Sequence, residues 1–352
     1  MNRDALVDWV RGLGDTPILI DANCTGQDYS RIELQGGQFH RVNFSGCDFT
    51  LGQIAECQFI ECVFDQSVFE HCQVVMSNFI NCSLRKLQGE QVVFSYVNCQ
   101  ECSFNESSLI KSEFNKTNFV SCDLNQVVLS SLSSDNCAWL NCTLDRVDLG
   151  YSQHERANMI NISLEEIVLE GARFNTPYFR SIDFSGFDFS RTKFHQPQFQ
   201  EVTLTQADFS EVDLKQAGFS GAAMTGCLFN GACLDNALFI GSELTGSQFN
   251  KAQLKQAMFN DAVVSLCDFT RAQLEQAQFT RSQCRESVFE KADLTYADFS
   301  HADMTGSVIL DSQLYRANLH QIVEEKTLWT GSNRAAALET DEERAAAERG
   351  PG

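Results

Sequence analysis

Positive charge is scarce in this chain: 26 Lys and Arg stand against 47 Asp and Glu, a net charge of −21 over 352 residues. Such an acidic chain repels nucleic acid and anionic membrane, so neither is expected as a direct partner. No run of about 18 apolar residues exists to span a bilayer, and the N-terminus lacks an apolar segment of the cleavable kind. A soluble chain made in the cytoplasm is expected. Also missing are a phosphate-binding glycine loop, clustered metal ligands and paired carboxylates in a cleft, so neither an enzyme nor a cofactor is expected.

What is present is a five-residue beat. Phe recurs every tenth residue from Phe199 to Phe299, and residues such as Leu204, Leu214, Met224 and Leu234 hold the midpoints. Five is neither the helix period of 3.6 nor the strand period of 2, and a fixed short self-similarity marks a repeat architecture. Every residue number ending in 4 or 9 from Leu34 to Leu319 is a centre, which makes 58 pentapeptides, and only Gly89, Ser134 and His154 are non-apolar there. Of the 28 Phe, 27 stand at centres, and Phe187 takes the inward slot two before one. No insertion breaks the phase, so no large loop is expected in the body.

Ala207-Asp208-Phe209-Ser210, Ala292-Asp293-Leu294-Thr295, Ala297-Asp298-Phe299-Ser300 and Ala317-Asn318-Leu319 resemble the A(D/N)LXX motif of pentapeptide-repeat proteins. That resemblance implies an all-β solenoid, a right-handed quadrilateral β-helix with four pentapeptides per turn. Residues 20 apart would then stack on one face, and the body would be roughly 70 Å long at about 4.8 Å per strand spacing. Three parts are expected: residues 1–33 as an N-terminal helix and lead-in segment, 34–319 as the repeat body, and 320–352 as a capping or docking tail.

Leu6, Trp9, Val10 and Leu13 fall at i, i+3, i+4, i+7 with charges between them, which predicts a short amphipathic helix over residues 3–13. A solenoid's first coil exposes an apolar end and an unpaired edge, so this helix is expected to cap it. Beyond Leu319, the apolar Ile322, Val323, Leu328 and Trp329 can cover the last coil, and Thr340-Asp341-Glu342-Glu343 opens a terminal helix with a capping-box pattern. A homodimer through this tail, with Leu328 and Trp329 as contacts, is an alternative use of the same apolar surface.

Two stretches concentrate acid and form the candidate protein-binding surface: Asp48, Glu56, Glu61, Asp65 and Glu70, then Glu201, Asp208, Glu211, Asp213, Asp235 and Glu243. No reaction is implied, so function is expected to lie in protein binding. Resemblance to the quinolone-resistance, topoisomerase-protecting members of the family implies DNA mimicry with topoisomerase subunits as partners. The stretch from Ala317-Asn318-Leu319-His320 through Ala335-Ala336-Ala337-Leu338-Glu339-Thr340-Asp341 resembles the tail of pentapeptide-repeat proteins accompanying bacterial type VI secretion, which implies an adaptor role with an effector or spike component as partner. The scaffold reading is the primary one, because duplex DNA carries one charge per about 1.7 Å, roughly three times the density of the repeat body.

Eleven of the 15 Cys lie two residues before a centre, where Ala or Ser stands elsewhere, and are expected to be small buried fillers. Neighbouring Cβ atoms at a strand spacing of about 4.8 Å are too far apart for disulfides. Ser134 and His154 are centres 20 residues apart with Asp135 beside the serine, the one place where a hydrolase reading arises. A triad also needs an orienting carboxylate and an oxyanion pocket, so the expected reading is a pair of widened turns with both side chains toward water. The remaining histidines, His40, His71, His195, His301 and His320, fall at outward positions without metal-ligand spacing. Gln38 with Gln58, and Gln253 with Gln273, are spaced to stack as amide ladders.

Overall fold

A computed structural model describes residues 1–12 and 17–349, so Leu13 of the predicted N-terminal helix lies outside the described residues. The chain divides into two units, residues 1–178 and 179–352.

In the first unit, helix α1 (Arg3–Gly12) precedes sixteen strands of three residues, from β1 (Ile18–Ile20) and β2 (Glu33–Gln35) to β15 (Asn158–Ile160) and β16 (Arg173–Asn175). Odd strands stack on odd and even on even, all parallel, in two sheets. The register is 20 residues without a slip, as in Phe39↔Phe59, Phe59↔Phe79 and Leu34↔Ile54. Isolated bridges of the same spacing, such as Asn43↔Val63 and Asp48↔Val68, form two further ladders. Each turn therefore has four sides. Their centres are Phe44, Phe49, Ile54 and Phe59 in one turn, called sides 1 to 4 here, so even strands make side 3 and odd strands side 4. This is the β-solenoid that the five-residue period predicts.

The corners explain why the period is five. Two residues after almost every centre the backbone turns left-handed, with φ between +46° and +62° in non-glycine residues such as Thr176 and Glu211. One residue later the N–H of the inward slot closes back onto the centre's carbonyl, as Cys47 does to Phe44 at 3.1 Å and Gly52 to Phe49 at 2.9 Å. A positive φ at the third residue and this closing bond make a type II turn. Most corners of sides 1 and 2 in the first unit close this way, while at Leu87 and Val92 the N–H donates instead to a serine hydroxyl of the next turn. Sides 3 and 4 run as the regular strands, and no such closure is found at their corners among the described residues.

The second unit contains β17 (Tyr178–Arg180, its first residue at the boundary), β18 (Lys193–His195) and β19 (Gln198–Gln200), after which single bridges such as Phe239's neighbour pair Leu238↔Met258 keep the 20-residue register. Corners on all four sides now close, at Ala207, Val212, Ala217 and Ala222 in succession. Its core is two ring columns: Phe209, Phe229, Phe249, Phe269 and Phe289 stack at 4.8–5.3 Å, and Phe199 through Phe299 at 4.6–5.2 Å, each within 8° of parallel. Burying each ring is worth about 1.5–3 kcal/mol.

Strand pairing extends past residues 34–319 at both ends. Pairing starts already at Ile18, ahead of Leu34, with Cys24 and Tyr29 buried as centres. Helix α1 covers this end: Leu6 and Val10 are buried, and the Trp9 ring lies 5.8 Å from Phe39. At the other end the ladder passes Leu319 and continues to Val323, Leu328 and Leu338. The beat persists too, but its centres become Glu324, Trp329, Arg334 and Glu339. Trp329 Nε1 donates to Glu324 Oε2 at 3.1 Å, Arg334 Nη2 donates to Glu324 and Glu339 at 3.0 and 3.3 Å, and the guanidinium lies 4.9 Å from the Trp329 ring centroid. Four polar groups thus close the last turn. Helix α2 (Glu342–Glu348) follows, with Asp341 as N-cap accepting from the N–H groups of Glu343 and Arg344.

Candidate functional site

The fold takes up much of the predicted acidic surface. Asp48, Asp208 and Asp213 each accept the N–H two residues on, at 2.8, 2.8 and 3.2 Å, and Glu243 accepts that of Thr245 at 3.0 Å. These side chains hold their own corners, as Asx turns do. Asp65 accepts from Ser83 Oγ and the Arg85 N–H, Asp235 from the Lys255 N–H, and Glu201 pairs with Arg180 at 3.0 Å. Glu56, Glu61, Glu70 and Glu211 remain as outward carboxylates. They are not one patch: Glu56 and Glu61 sit at the two ends of side 4, Glu70 on side 2 and Glu211 at the corner after side 2. Along the 20-residue register, no column holds acids in more than two successive turns.

Side 4 of the first unit is different. Its outward residues are the first and third of each odd strand from β1 to β15, and none is Asp, Glu, Lys or Arg. One column is mostly aliphatic, with Ile60 beside Ile80 and Val120, Leu140 and Ile160 in succession, interrupted by His40 and Gln100. The other is a run of amides, Gln38, Gln58, Asn78, Asn98 and Asn118, in which Asn98 Nδ2 donates to Asn78 at 3.0 Å and Asn118 Nδ2 to Asn98 at 2.7 Å. The predicted pairs Gln38 with Gln58 and Gln253 with Gln273 are register partners. Side 3, by contrast, carries Glu33, Glu113, Asp135, Glu155 and Arg173.

Ser134 and His154 correct the expectation that they turn to water. They are register partners on β12 (Ser133–Asp135) and β14 (Gln153–Glu155), both 2% exposed, and point inward. Ser134 Oγ lies 2.7 Å from His154 Nδ1, and Ser152 Oγ lies 2.8 Å from Nε2 while donating to the Leu149 carbonyl at 2.6 Å. Ser152 must therefore accept from Nε2–H, and Ser134 donates to Nδ1. The relay is complete and enclosed. A serine occupies the place a triad gives to a carboxylate, and Asp135 points outward to Arg156. Burial lowers the His154 pKa to about 3, so the ring is neutral, and it stacks 4.6 Å from Phe174. Gly89, the other odd centre, stands where an added Cβ would come within 2.5 Å of Val92.

The cysteines are buried and free, apart from the half-buried Cys233. They do more than fill space: Cys62, Cys82, Cys102 and Cys142 donate their thiols to the carbonyls of Phe39, Phe59, Phe79 and Phe119, centres of the preceding turn, at 3.2–3.4 Å. Ser67, Ser107, Ser247 and Ser287 make the same bond through hydroxyls. Where the inward slot holds Cys or Ser, that side chain thus doubles as filler and donor.

The tail gathers residues that spacing did not reveal. Glu348 of α2 places Oε2 3.1 Å from His320 Nε2 and 3.3 Å from His301 Nε2, while Arg344 Nε donates to Oε1 at 2.8 Å. The hydrogen bonds from His320 and Arg344 bring the Glu348 carboxyl down to about 2. His320 is 1% exposed, not outward as its frame position suggested, because α2 covers it. Trp329 belongs to the polar closure, and Leu328, Val323 and Leu338 are exposed on three different sides, so the expected tail contacts do not form one apolar patch. No helix among the described residues is long and apolar enough to cross a membrane.

Two family models match the chain: the pentapeptide repeat region over residues 212–289, and pentapeptide repeats in eight copies over 90–130, 178–210 and 282–321. The chain belongs to the pentapeptide-repeat family. No curated protein matches it. Among solved structures it is similar to HetL, a pentapeptide repeat protein involved in heterocyst differentiation regulation from the cyanobacterium Nostoc sp. strain PCC 7120, at 18% identity over 66% of this chain and 90% of that one, with a TM-score of 0.25. It is also similar to QnrB1, a plasmid-mediated fluoroquinolone resistance protein, at 15% identity over 62% and 89%, with a TM-score of 0.33. A pentapeptide repeat protein of the Arabidopsis thaliana thylakoid lumen matches at 21% identity over 39% and 74%, with a TM-score of 0.16. Likenesses of this degree carry no argument about function, and the comparisons lend no support to the secretion resemblance of the tail.

Proposed function

We propose that the protein is a non-enzymatic scaffold that binds a protein partner through side 4 of its first unit. The observation behind this reading is the absence of any Asp, Glu, Lys or Arg from the outward positions of the eight strands stacked on this side, in a chain of net charge −21. Depletion of charge with aliphatic contact area is the mark of an interface core. At about 4.8 Å per strand the surface extends roughly 34 Å. Within the amide column Asn78, Asn98 and Asn118 bond one another, so covering that stretch strands fewer polar groups than isolated amides would.

DNA mimicry is the second reading, favoured by the net charge of −21. The short acidic columns and the carboxylates held in corners weigh against it. The test is affinity capture with the full chain from cells that produce it, comparing Ile80→Lys/Leu140→Lys with Glu56→Gln/Glu61→Gln/Glu70→Gln. A partner lost with the lysines and kept with the glutamines is the expected result. A partner lost with the glutamines, and falling away steeply with salt, would overturn the side 4 reading, and topoisomerase subunits in that fraction would establish mimicry. A secretion effector or spike component, the class implied by the tail, would be identified in the same experiment.

A further inference from the structure

We propose that His301, His320 and Glu348 form a binding site for a divalent transition metal of the zinc type, placed where the C-terminal helix meets the solenoid. Two imidazole nitrogens and one carboxylate oxygen lie within 4.8 Å of one another. Both Nε2 atoms aim at the same oxygen, at 3.1 and 3.3 Å. Zinc bonds of about 2.0–2.1 Å in tetrahedral geometry place neighbouring ligand atoms roughly 3.3 Å apart, so the two recorded separations already match edges of such a site. Imidazole with carboxylate is a donor set suited to zinc, nickel or copper, and unsuited to calcium or magnesium. His320 is buried, whereas His301 and Glu348 have side chains 30% and 32% exposed, which leaves the fourth position open to water.

Two neighbours shape the binding. Arg344 holds the other carboxylate oxygen and opposes a second cation. The Asp341 N–H donates to His320 Nδ1 at 3.2 Å, so in the metal-free protein the proton of His320 sits on Nε2. A metal at Nε2 requires that proton to move to Nδ1, where it would face the Asp341 N–H. Metal binding and the Asp341 contact therefore exclude each other, and occupancy has to shift the backbone that enters α2. The site is thus a means by which an ion would reposition the terminal helix.

The test is calorimetric titration of the full chain with ZnCl2 alone, read alongside the amide resonance of Asp341. One saturable site is expected, with the Asp341 resonance moving in step with occupancy. His301→Ala and Glu348→Gln should each weaken binding by at least the roughly 10–100-fold that even an outer-shell partner costs. Arg344→Gln should strengthen it. His301 is the control for folding, since it is the more exposed imidazole. The absence of a saturable site, binding unchanged by these substitutions, or zinc bound with the Asp341 resonance unmoved would each overturn the proposal.

Discussion

The two units keep one 20-residue register by different means. The first alternates closed corners on two sides with three-residue strands on the other two, and many of its inward slots hold Cys, Ser or Thr, several of which donate to the carbonyl of a centre one turn back, beside slots held by Val, Leu and Ile. From Leu204 the second closes corners on all four sides, apart from positions such as Cys267 and Ser312 whose N–H groups donate to a serine of the next turn, fills many slots with Ala, and adds two ring columns to its aliphatic core. The comparison teaches that the register does not depend on any one side-chain solution. What both units share is the left-handed residue two after nearly every centre, which turns the chain at fixed intervals.

The largest break is expected in the ring columns. Phe249→Ala in the second unit should cost about 3–5 kcal/mol, because its ring stacks between Phe229 and Phe269 at 4.9 and 4.8 Å and the cavity cannot collapse between rigid turns. Denaturant unfolding with a second-unit probe measures it. A loss below about 1 kcal/mol would show that neighbouring turns relax into the space.

A smaller effect belongs to the first unit's enclosed relay. Ser134→Ala leaves His154 Nδ1 without its donor and should cost about 1–3 kcal/mol. Ser134→Ala/His154→Phe replaces both polar groups and continues a ring column, so it should recover most of the loss. The same pair has a pH signature. The folded His154 has its pKa lowered to about 3, whereas an unfolded imidazole titrates near 6.5. The unfolded chain therefore binds the extra proton between these values. This contribution to stability is complete above about pH 6.5 and is lost as pH falls toward 3. The double variant should show a shallower acid limb in unfolding experiments.

The smallest effects sharpen the comparison at the corners. Leu266 sits left-handed at φ +60° and is 56% exposed, so Leu266→Gly relieves backbone strain without removing core and should stabilise by up to about 1 kcal/mol. Gly246→Ala, at φ +73° with open space around it, should cost about as much. Thermal unfolding of the two variants side by side reads the difference.

The frame and core were legible because a buried ring every fifth residue leaves a periodic trace. Corner geometry was not, since most of its left-handed residues are not glycine. The Asp before a centre, as in Asp208-Phe209-Ser210, could have been read as a turn cap from its spacing to the next N–H. Ahead of Leu34 the sequence already approximates the repeat at Ile18, Ile20 and Tyr29, although Cys24 stands where Phe or Leu was sought. Ser134 and His154 were found but misplaced, because spacing cannot tell that Ser152 would supply the third hydroxyl. His301, His320 and Glu348 left no signal, as α2 lies outside the frame.

The closing turn also decides where the array can grow. A second chain stacking onto Glu324, Arg334 and Glu339 would strip two carboxylates and a guanidinium of water against an apolar interior, so head-to-tail fibres are opposed by chemistry rather than by shape. Extra 20-residue modules inserted ahead of Glu324 would meet matching rings on either side. Length is therefore adjustable from within and sealed at the tip.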